Sequence, residues 1–226
     1  STFADCSSLT SLIIGSSVTD IHSWAFWNCN NLTNITFNCK NIGNWSSAYK
    51  TIQNVVLSDK VTTISVGAFE GCSSLTTIDI PNSVTTIGES AFYGCSSLTS
   101  IKIPNSVTTI GRGAFSDCSS LMSIEIPNSV TTIGEWTFYY CSSLTSIEIP
   151  NNVTTIGDRA FEGCKLKSLT IGSGVLSIGS NQCKPTKTIW LTLKRKRRFI
   201  IMEFNGINFD TYFKNYPNEE GFFGRY

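Results

Sequence analysis

The sequence has little of what enzymes need. It contains a single histidine, His22, and its charged residues make up only 15% of the chain. A Ser-His-Asp or Cys-His catalytic group would have to use His22, which we interpret as a polar turn residue. The motifs of zinc proteases, phosphate-binding loops, dinucleotide-binding turns and serine hydrolases are missing, as is the calcium-binding repeat text of β-helices. We therefore predict a protein that is not an enzyme and holds no cofactor or metal.

Long apolar runs and a strong net charge are missing as well. No stretch approaches the roughly 18 apolar residues of a membrane span, and Ser1 does not open a recognisable signal peptide. Residues 1–193 hold ten Lys/Arg against twelve Asp/Glu, while residues 194–226 hold seven against four. A nearly neutral main body is not typical of an electrostatically driven nucleic-acid binder. We expect neither a direct membrane span nor a nucleic-acid partner.

What the sequence does have is a 23-residue unit that recurs almost verbatim. Four full units begin at Cys72, Cys95, Cys118 and Cys141, and Cys164 opens a shortened fifth. Residues 1–50 keep the pattern in degenerate form, with an irregular insert at residues 38–50. A fixed period of this length is the signature of a solenoid. We predict a solenoid of about eight coils over residues 1–193 and a separate tail over 194–226.

Within one unit, the residue pattern predicts strands and turns. In the coil that begins at Cys95, Leu98 and residues 101–103 fit L-x-x-L-x-L and alternate as a strand does. Pro-Asn at 104–105 starts a turn, and the β-branched run 107–110 predicts a second short extended segment. Residues 114–115 fit a tight turn or one helical turn. Twenty-three residues leave no room for a long helix.

Stacking places equivalent residues of successive coils in columns. The Leu98-type and Ile101-type residues are expected to face inward, and the phenylalanines are expected to form an aromatic spine (Phe69, Phe92, Phe115, Phe138, Phe161). No single coil can bury these faces alone, so stability should come from contacts between neighbouring coils.

The text LTSIxIPNSVTTIGxxAFxGCSS resembles the BspA-like, or Treponema pallidum-type, leucine-rich repeat, and the resemblance covers residues 1–193. It implies a right-handed, β-rich leucine-rich-repeat solenoid with a curved parallel sheet on its concave face. Short strands, turns or single helical turns would lie on the convex side. It also implies a surface or secreted protein that adheres to host or partner proteins. The family offers no catalytic residues.

Nine cysteines allow two interpretations. Seven occupy one repeat position, whereas Cys39 and Cys183 fall outside it. Close pairs of the C-x2-C type, which zinc sites use, are missing. Neighbouring coils about 5 Å apart would allow disulfides between them. However, equivalent side chains in a ladder point in parallel, and a free cysteine suits a tight interior turn. We favour reduced, buried cysteines over a disulfide ladder.

Partner binding is expected where strand residues face outward. One outward column is varied and holds Asp79, Lys102, Glu125, Glu148 and, at its end, Trp190, whereas its neighbour is almost all Ser, Thr and Asn. A merely solvated face is the alternative. The insert at 38–50 is the other candidate, because Trp45 and Tyr49 are of the type favoured at binding hot spots. Packing of the insert explains these two residues equally well.

The tail does not follow the repeat. Residues 194–198 read KRKRR, a pattern of nuclear-localisation or polyanion-binding segments, which we interpret instead as a solvated linker. An enzymatic role would have to be carried by the tail, which is shorter than an ordinary domain. The function predicted from the sequence is a monomeric, protein-binding module at a cell surface. The alternative is a structural spacer that displays another domain and has no ligand of its own.

Overall fold

The computed structural model describes residues 3–22, 24–45, 49–182, 189–195 and 198–204, with backbone alone for Tyr49 and for residues beyond 188. The chain winds into a parallel-strand solenoid of about seven turns, against the eight expected, with almost no helix. The fold predicted from the repeat is confirmed. Within the described ranges the one helical element is a 3-10 turn at Tyr49–Thr51.

Most coils contribute a longer strand to the same side of the solenoid, which we call the long-strand face and on which the strands form three separate sheets. Its parallel neighbours are joined residue for residue, for example Ile101 with Ile124 and Lys102 with Glu125. The coil that begins at Cys72 contributes an isolated bridge between Asp79 and Lys102. The strands of this face are β1 Ser11–Ile14, β2 Asn34–Phe37, β4 Asn54–Leu57, β7 Ser100–Lys102, β9 Ser123–Glu125, β11 Ser146–Ile149, β13 Ser168–Ile171 and β15 Ile189–Arg195.

The second β-branched run of each coil forms a short strand on another side of the solenoid. These strands pair in parallel through the Thr-Ile dipeptide, as between Ile87 and Ile110. They are β3 Asn41–Ile42, β5 Thr63–Ile64, β6 Thr86–Ile87, β8 Thr109–Ile110, β10 Thr132–Ile133, β12 Thr155–Ile156 and β14 Ser177–Ile178.

The core is a set of stacked columns, as the sequence predicted. Leu98, Val107 and Phe115 are fully buried, and so are their counterparts in the neighbouring regular coils. The five phenylalanines of the spine lie with successive ring centroids 5.3–5.7 Å apart and nearly parallel planes. Each ring therefore buries both faces against the coils above and below, which a single coil cannot provide.

The Ala-Phe segment of each coil is a tight turn, and it too is tied to the next coil. The amide of Phe69 donates to the carbonyl of Ala91 at 2.7 Å, and the amide of Phe92 donates to that of Ala114 at 2.8 Å. The residue just before each cysteine has a left-handed backbone, as in Gly94 (φ 70) and Tyr140 (φ 54). The chain therefore turns sharply enough to close a coil without a helix.

The chain ends the long-strand face with a hairpin. β15 pairs in parallel with β13, and β16 (Arg198–Phe204) returns antiparallel to β15, with Arg195 opposite Arg198. Lys194, Arg195 and Arg198 are therefore strand residues. Backbone pairing thus extends the sheet past residue 193, and the interpretation of 194–198 as a solvated linker stays a prediction. Residues 196–197 and 205–226 lie outside the described residues.

Candidate binding surfaces

The charged column of the long-strand face consists of Asp79, Lys102, Glu125 and Glu148. All four side chains are exposed, because they alternate with buried isoleucines along their strands. Asp79 lies beside Lys102, and Lys102 lies beside Glu125, in register. Among the described residues, no ion pair involves Asp79, Lys102 or Glu125. Their charged groups are directed to the solvent instead of to one another.

The same face changes character along the solenoid. In the first coils the equivalent outward positions hold Ile13, which is 70% exposed, and Val56, which is 56% exposed. The neighbouring outward column consists of small polar residues, and where amides occur they bond to each other, as Asn54 Nδ2 donates to Asn34 Oδ1 at 2.8 Å. The face therefore combines an apolar end with a charged end.

Trp190 lies on β15, but not in the column that the sequence assigned to it. Its backbone pairs with Ser168, whereas Thr192 pairs with Thr170. Trp190 therefore continues the small polar column, two residues from its predicted place. The sequence pattern could not indicate this shift of two residues, because the repeat has ended by Trp190. Its side chain lies outside the described residues.

The described part of the insert, residues 38–45, is built into the solenoid as part of a coil. Asn41–Ile42 pairs with Thr63–Ile64 of the next coil. Trp45 is fully buried, with its ring 5.4 Å from that of Phe37, so its prediction as a partner contact is wrong. The core needs it there, because this coil lacks the usual Ala-Phe. The side chain of Tyr49 lies outside the described residues.

The cysteines behave as reduced interior residues. The eight described cysteines are free thiols, of which seven are buried and Cys6 is exposed. In successive coils the sulfur donates to the phenylalanine carbonyl of the preceding coil, as Cys95 Sγ does to Phe69 O and Cys141 Sγ to Phe115 O, both at 3.1 Å. Burial raises the pKa of Cys95 and of Cys141 to about 12. Cys183 lies outside the described residues.

The serines and asparagines at the coil corners satisfy backbone groups, as expected. Ser83 Oγ donates to Val61 O and Ser106 Oγ to Val84 O, both at 2.6 Å, and Ser142 Oγ donates to Ser119 O at 3.3 Å. His22 is exposed. Across the described residues, no three His, Cys, Asp or Glu side chains converge as metal ligands. Within the same ranges no helix is long and apolar enough to cross a bilayer.

The sequence reading missed one surface feature, on the side of the Ala-Phe turns. We call it the turn-side aromatic patch, and it consists of Trp136, Tyr139 and Tyr140. Tyr140 is 48% exposed, and its ring lies 4.5 Å from that of Tyr139. Arg112 of the preceding coil lies over Trp136, 4.0 Å from the ring centroid. The sequence does contain a sign of this patch. The unit that begins at Cys118 reads EWTFYY, where the preceding unit reads RGAFSD, so aromatic residues replace small and polar ones.

Comparisons with known proteins agree with the architecture. A leucine-rich-repeat protein from T. pallidum aligns with a TM-score of 0.60 at 28% identity, covering 68% of this chain and 76% of that one. One from Bacteroides ovatus aligns with a TM-score of 0.50 at 25% identity, covering 76% and 60%. The pneumococcal vaccine antigen PcpA shares the fold, with a TM-score of 0.51 at 20% identity, covering 83% and 57%. The chain thus spans less than two thirds of the second and third structures.

No curated protein matches significantly. The sequence matches the family described as the BspA type leucine rich repeat region in six copies, over residues 1–83 and 62–189. Members of repeat families of this kind are generally structural or binding proteins rather than enzymes. The chain belongs to the BspA-type leucine-rich-repeat family.

Proposed function

We propose that the chain is a protein-binding module, presented at a cell surface, that holds its partner on the long-strand face. The observation that carries this proposal is the charged column of Asp79, Lys102, Glu125 and Glu148. These are four exposed charged side chains in successive coils, on a face whose neighbouring outward column holds only small polar residues in these coils.

Packing and backbone hydrogen bonding account for the repeated residues but not for the charged column. The isoleucines on either side of Lys102 are buried, and the corner serines satisfy carbonyl groups. Lys102 does neither. Adjacent strands lie about 4.8 Å apart, so the four charged groups form a continuous row rather than isolated sites. Extended faces of this kind are the surfaces that solenoid proteins use for binding.

The character of this face favours a protein partner. Three carboxylates and one ammonium group would repel the phosphates of a nucleic acid. Charges of mixed sign, with exposed Ile13 and Val56 on the same face, match the combination of polar and apolar contacts in protein interfaces. We propose that the module acts as a monomer, and that its place at a cell surface follows from its family.

A structural spacer that displays another domain is the second candidate function. It is favoured by the near-identity of the four central units, since identical coils extend a scaffold without creating a specific site. A spacer tolerates any change on its outward face that preserves folding. The two functions therefore differ in one measurable respect, the sensitivity of binding to the charged column.

The test is a charge reversal, Asp79→Lys with Glu125→Lys and Glu148→Lys, measured by surface plasmon resonance against a panel of purified extracellular matrix proteins. The matched control reverses three exposed acids off this face, Asp20, Asp59 and Glu70. We expect a matrix protein whose affinity falls about tenfold or more in the first variant and stays nearly unchanged in the control. Circular dichroism verifies folding. No binding by the unaltered chain, or equal affinity of both variants, would favour the spacer.

A further inference from the structure

The coil from Cys118 to Tyr140 places aromatic residues where the backbone favours glycine. Two positions of each regular coil have a left-handed backbone; elsewhere they hold small or polar residues, such as Gly113 (φ 59) and Gly94 (φ 70). In this coil they hold Trp136 (φ 55) and Tyr140 (φ 54). That conformation costs a residue with a side chain about 1–2 kcal/mol. Tyr140 is exposed and Trp136 is half-buried, and strain of this kind at surface residues points to function.

The patch already holds one guanidinium group. Arg112 stacks on Trp136, and two carboxylates flank it: Nε lies 3.2 Å from an oxygen of Glu135, and Nη1 lies 3.8 Å from one of Glu89. An aromatic face with carboxylates beside it attracts a cation by both the ring quadrupole and the ion pair. The contacts of Arg112 therefore show what this surface offers an arginine of another protein: an aromatic ring with carboxylates beside it.

Tyr140 offers a second place of the same kind. Its ring lies over Gly163 of the next coil, where an added Cβ would approach the ring to 2.8 Å. Backbone hydrogen bonds join Tyr139 to Asp117 on one side and Tyr140 to Glu162 on the other. Glu162 also pairs with Arg159 at 3.6 Å. The Tyr140 ring is therefore half-exposed beside the next coil, and two acidic residues of adjacent coils are hydrogen-bonded through their backbones to the Tyr139–Tyr140 pair.

The charge around the patch is negative. The turn side of the coils around it holds five acidic residues and two arginines, a net charge of −3, from Glu89, Asp117, Glu135, Asp158 and Glu162 against Arg112 and Arg159. Trp, Tyr and Arg are the residues most often found at binding hot spots. The negative charge favours a cationic partner over a neutral one, because a neutral ligand gains no electrostatic attraction from it.

We infer that the turn-side aromatic patch binds a segment of a partner protein that is rich in arginine and lysine. This inference rests on the proposed protein-binding function and adds to it a second surface, on a different side of the solenoid from the charged column. The cationic side chains of the segment stack on the exposed ring of Tyr140, beside the Arg112–Trp136 pair, and the negative charge of the patch attracts them.

The test uses a fluorescein-labelled peptide of alternating Arg and Gly, with binding followed by fluorescence anisotropy. In the test variant, Trp136→Gly is combined with Tyr140→Gly, which restores the residue type that Gly113 and Gly94 provide in neighbouring coils. We expect the affinity to fall about tenfold or more, while the unfolding midpoint stays equal or rises. The affinity of the unaltered chain should also weaken as salt is raised.

The matched control combines Trp24→Ala with Trp27→Ala. These two exposed tryptophans lie on the turn side of an early coil, with ring centroids 5.0 Å apart, and should leave the peptide's affinity unchanged. Unchanged affinity in the double-glycine variant, or equal loss in the control, would overturn the inference. Tighter binding of a neutral oligosaccharide, cellohexaose, would also overturn it and indicate a glycan site.

The function proposed for the long-strand face and the inference about the turn-side aromatic patch can be tested independently of each other. The variant with Asp79, Glu125 and Glu148 reversed should bind the basic peptide as the unaltered chain does, because these residues lie on the long-strand face. Loss of peptide binding in that variant would mean that the charged column, and not the aromatic patch, attracts the peptide. Loss of matrix-protein binding in that variant alone would support the function proposed for the long-strand face and leave the patch intact.

Discussion

The cysteine at the corner of each regular coil fills a space that suits a small apolar side chain with one weak donor. Cys118 Sγ, for example, donates to the carbonyl of Phe92 at 3.2 Å, and the side chain is fully buried. A disulfide to the next coil would turn the sulfurs away from these carbonyls. The free thiol therefore fits the column better than the bridge does, and reduced cysteines stay the prediction for this column.

Burial of these thiols predicts a loss of stability in alkaline solution. The folded-state pKa of Cys95 and of Cys141 is about 12, against 9.0 for a free thiol. Between these values the unfolded chain gives up protons that the folded chain keeps. The free energy of unfolding should therefore be unaffected below pH 9 and fall above it, by at most about 1.4 kcal/mol per pH unit for each thiol.

Urea unfolding at a series of pH values checks this prediction. The variant Cys95→Ser keeps a donor for the carbonyl of Phe69 but loses the ionisable thiol, so its stability should fall less steeply above pH 9. The exposed Cys6 offers the control, since Cys6→Ser should follow the unaltered chain. Parallel curves for all three proteins would contradict the assignment of the effect to the buried thiol.

At the scale of the element, the glycine that follows several short strands, such as Gly88, Gly111 and Gly157, lets two coils approach closely. A Cβ added to Gly111 would meet the backbone nitrogen of Glu89 and would lie 2.5 Å from the carbonyl carbon of Gly88. Backbone atoms cannot move aside as the end of a flexible side chain can. The repeated glycine is therefore required by the stacking of coils and not only by the turn.

Gly111→Ala should lower the free energy of unfolding by about 1–3 kcal/mol, the usual cost of overpacking. Gly15→Ala is the matched control, because a Cβ there meets nothing within 4 Å, and it should leave stability nearly unchanged. Chemical denaturation of both variants measures the difference. Equal stability of the two would show that neighbouring coils can separate at this point without cost.

The outward-facing elements show how far sequence reasoning reaches for a binding surface. Asp79, Lys102, Glu125 and Glu148 were placed on the exposed face because strand periodicity decides orientation. Trp45 was misplaced, because an irregular segment has no periodicity from which burial can be read. Whether the charged column binds a partner stays a prediction. The position of these side chains is a matter of local geometry, whereas their use depends on another molecule.

At the scale of the whole molecule, the solenoid has no central core that all coils share. Each coil contacts only its neighbours, so an interior coil is supported on two sides. The most regular part, from Cys72 to Cys164, has a buried residue of the same type at nearly every core position. The first coils are less uniform, with Leu9 and Leu12 only partly buried.

Hydrogen exchange followed by mass spectrometry should therefore show a gradient along the chain. Amides of residues 86–156 should exchange most slowly, and those of residues 11–37 should exchange faster, because the latter lie in coils with fewer buried contacts. Peptides from Thr109–Ile110 and from Ser11–Ile14 compare the two regions directly. Equal protection of both would indicate that the whole solenoid opens as a single cooperative unit.

The repeat by itself determined the architecture, because a period of 23 residues with strand-like alternation leaves one way to bury the apolar residues: stacking coil on coil. It determined equally the Phe spine, the outward direction of the charged column and the burial of the cysteines in the regular coils. Only the tertiary structure decided what the departures from the repeat do. Trp45 is buried in a coil that lacks the usual phenylalanine, whereas Tyr140 is exposed and Trp136 is half-buried at the surface, both on backbone that favours glycine. Aromatic side chains occur both in the core and on the surface of proteins. The space left by the neighbouring coils decides which of the two positions each of them takes.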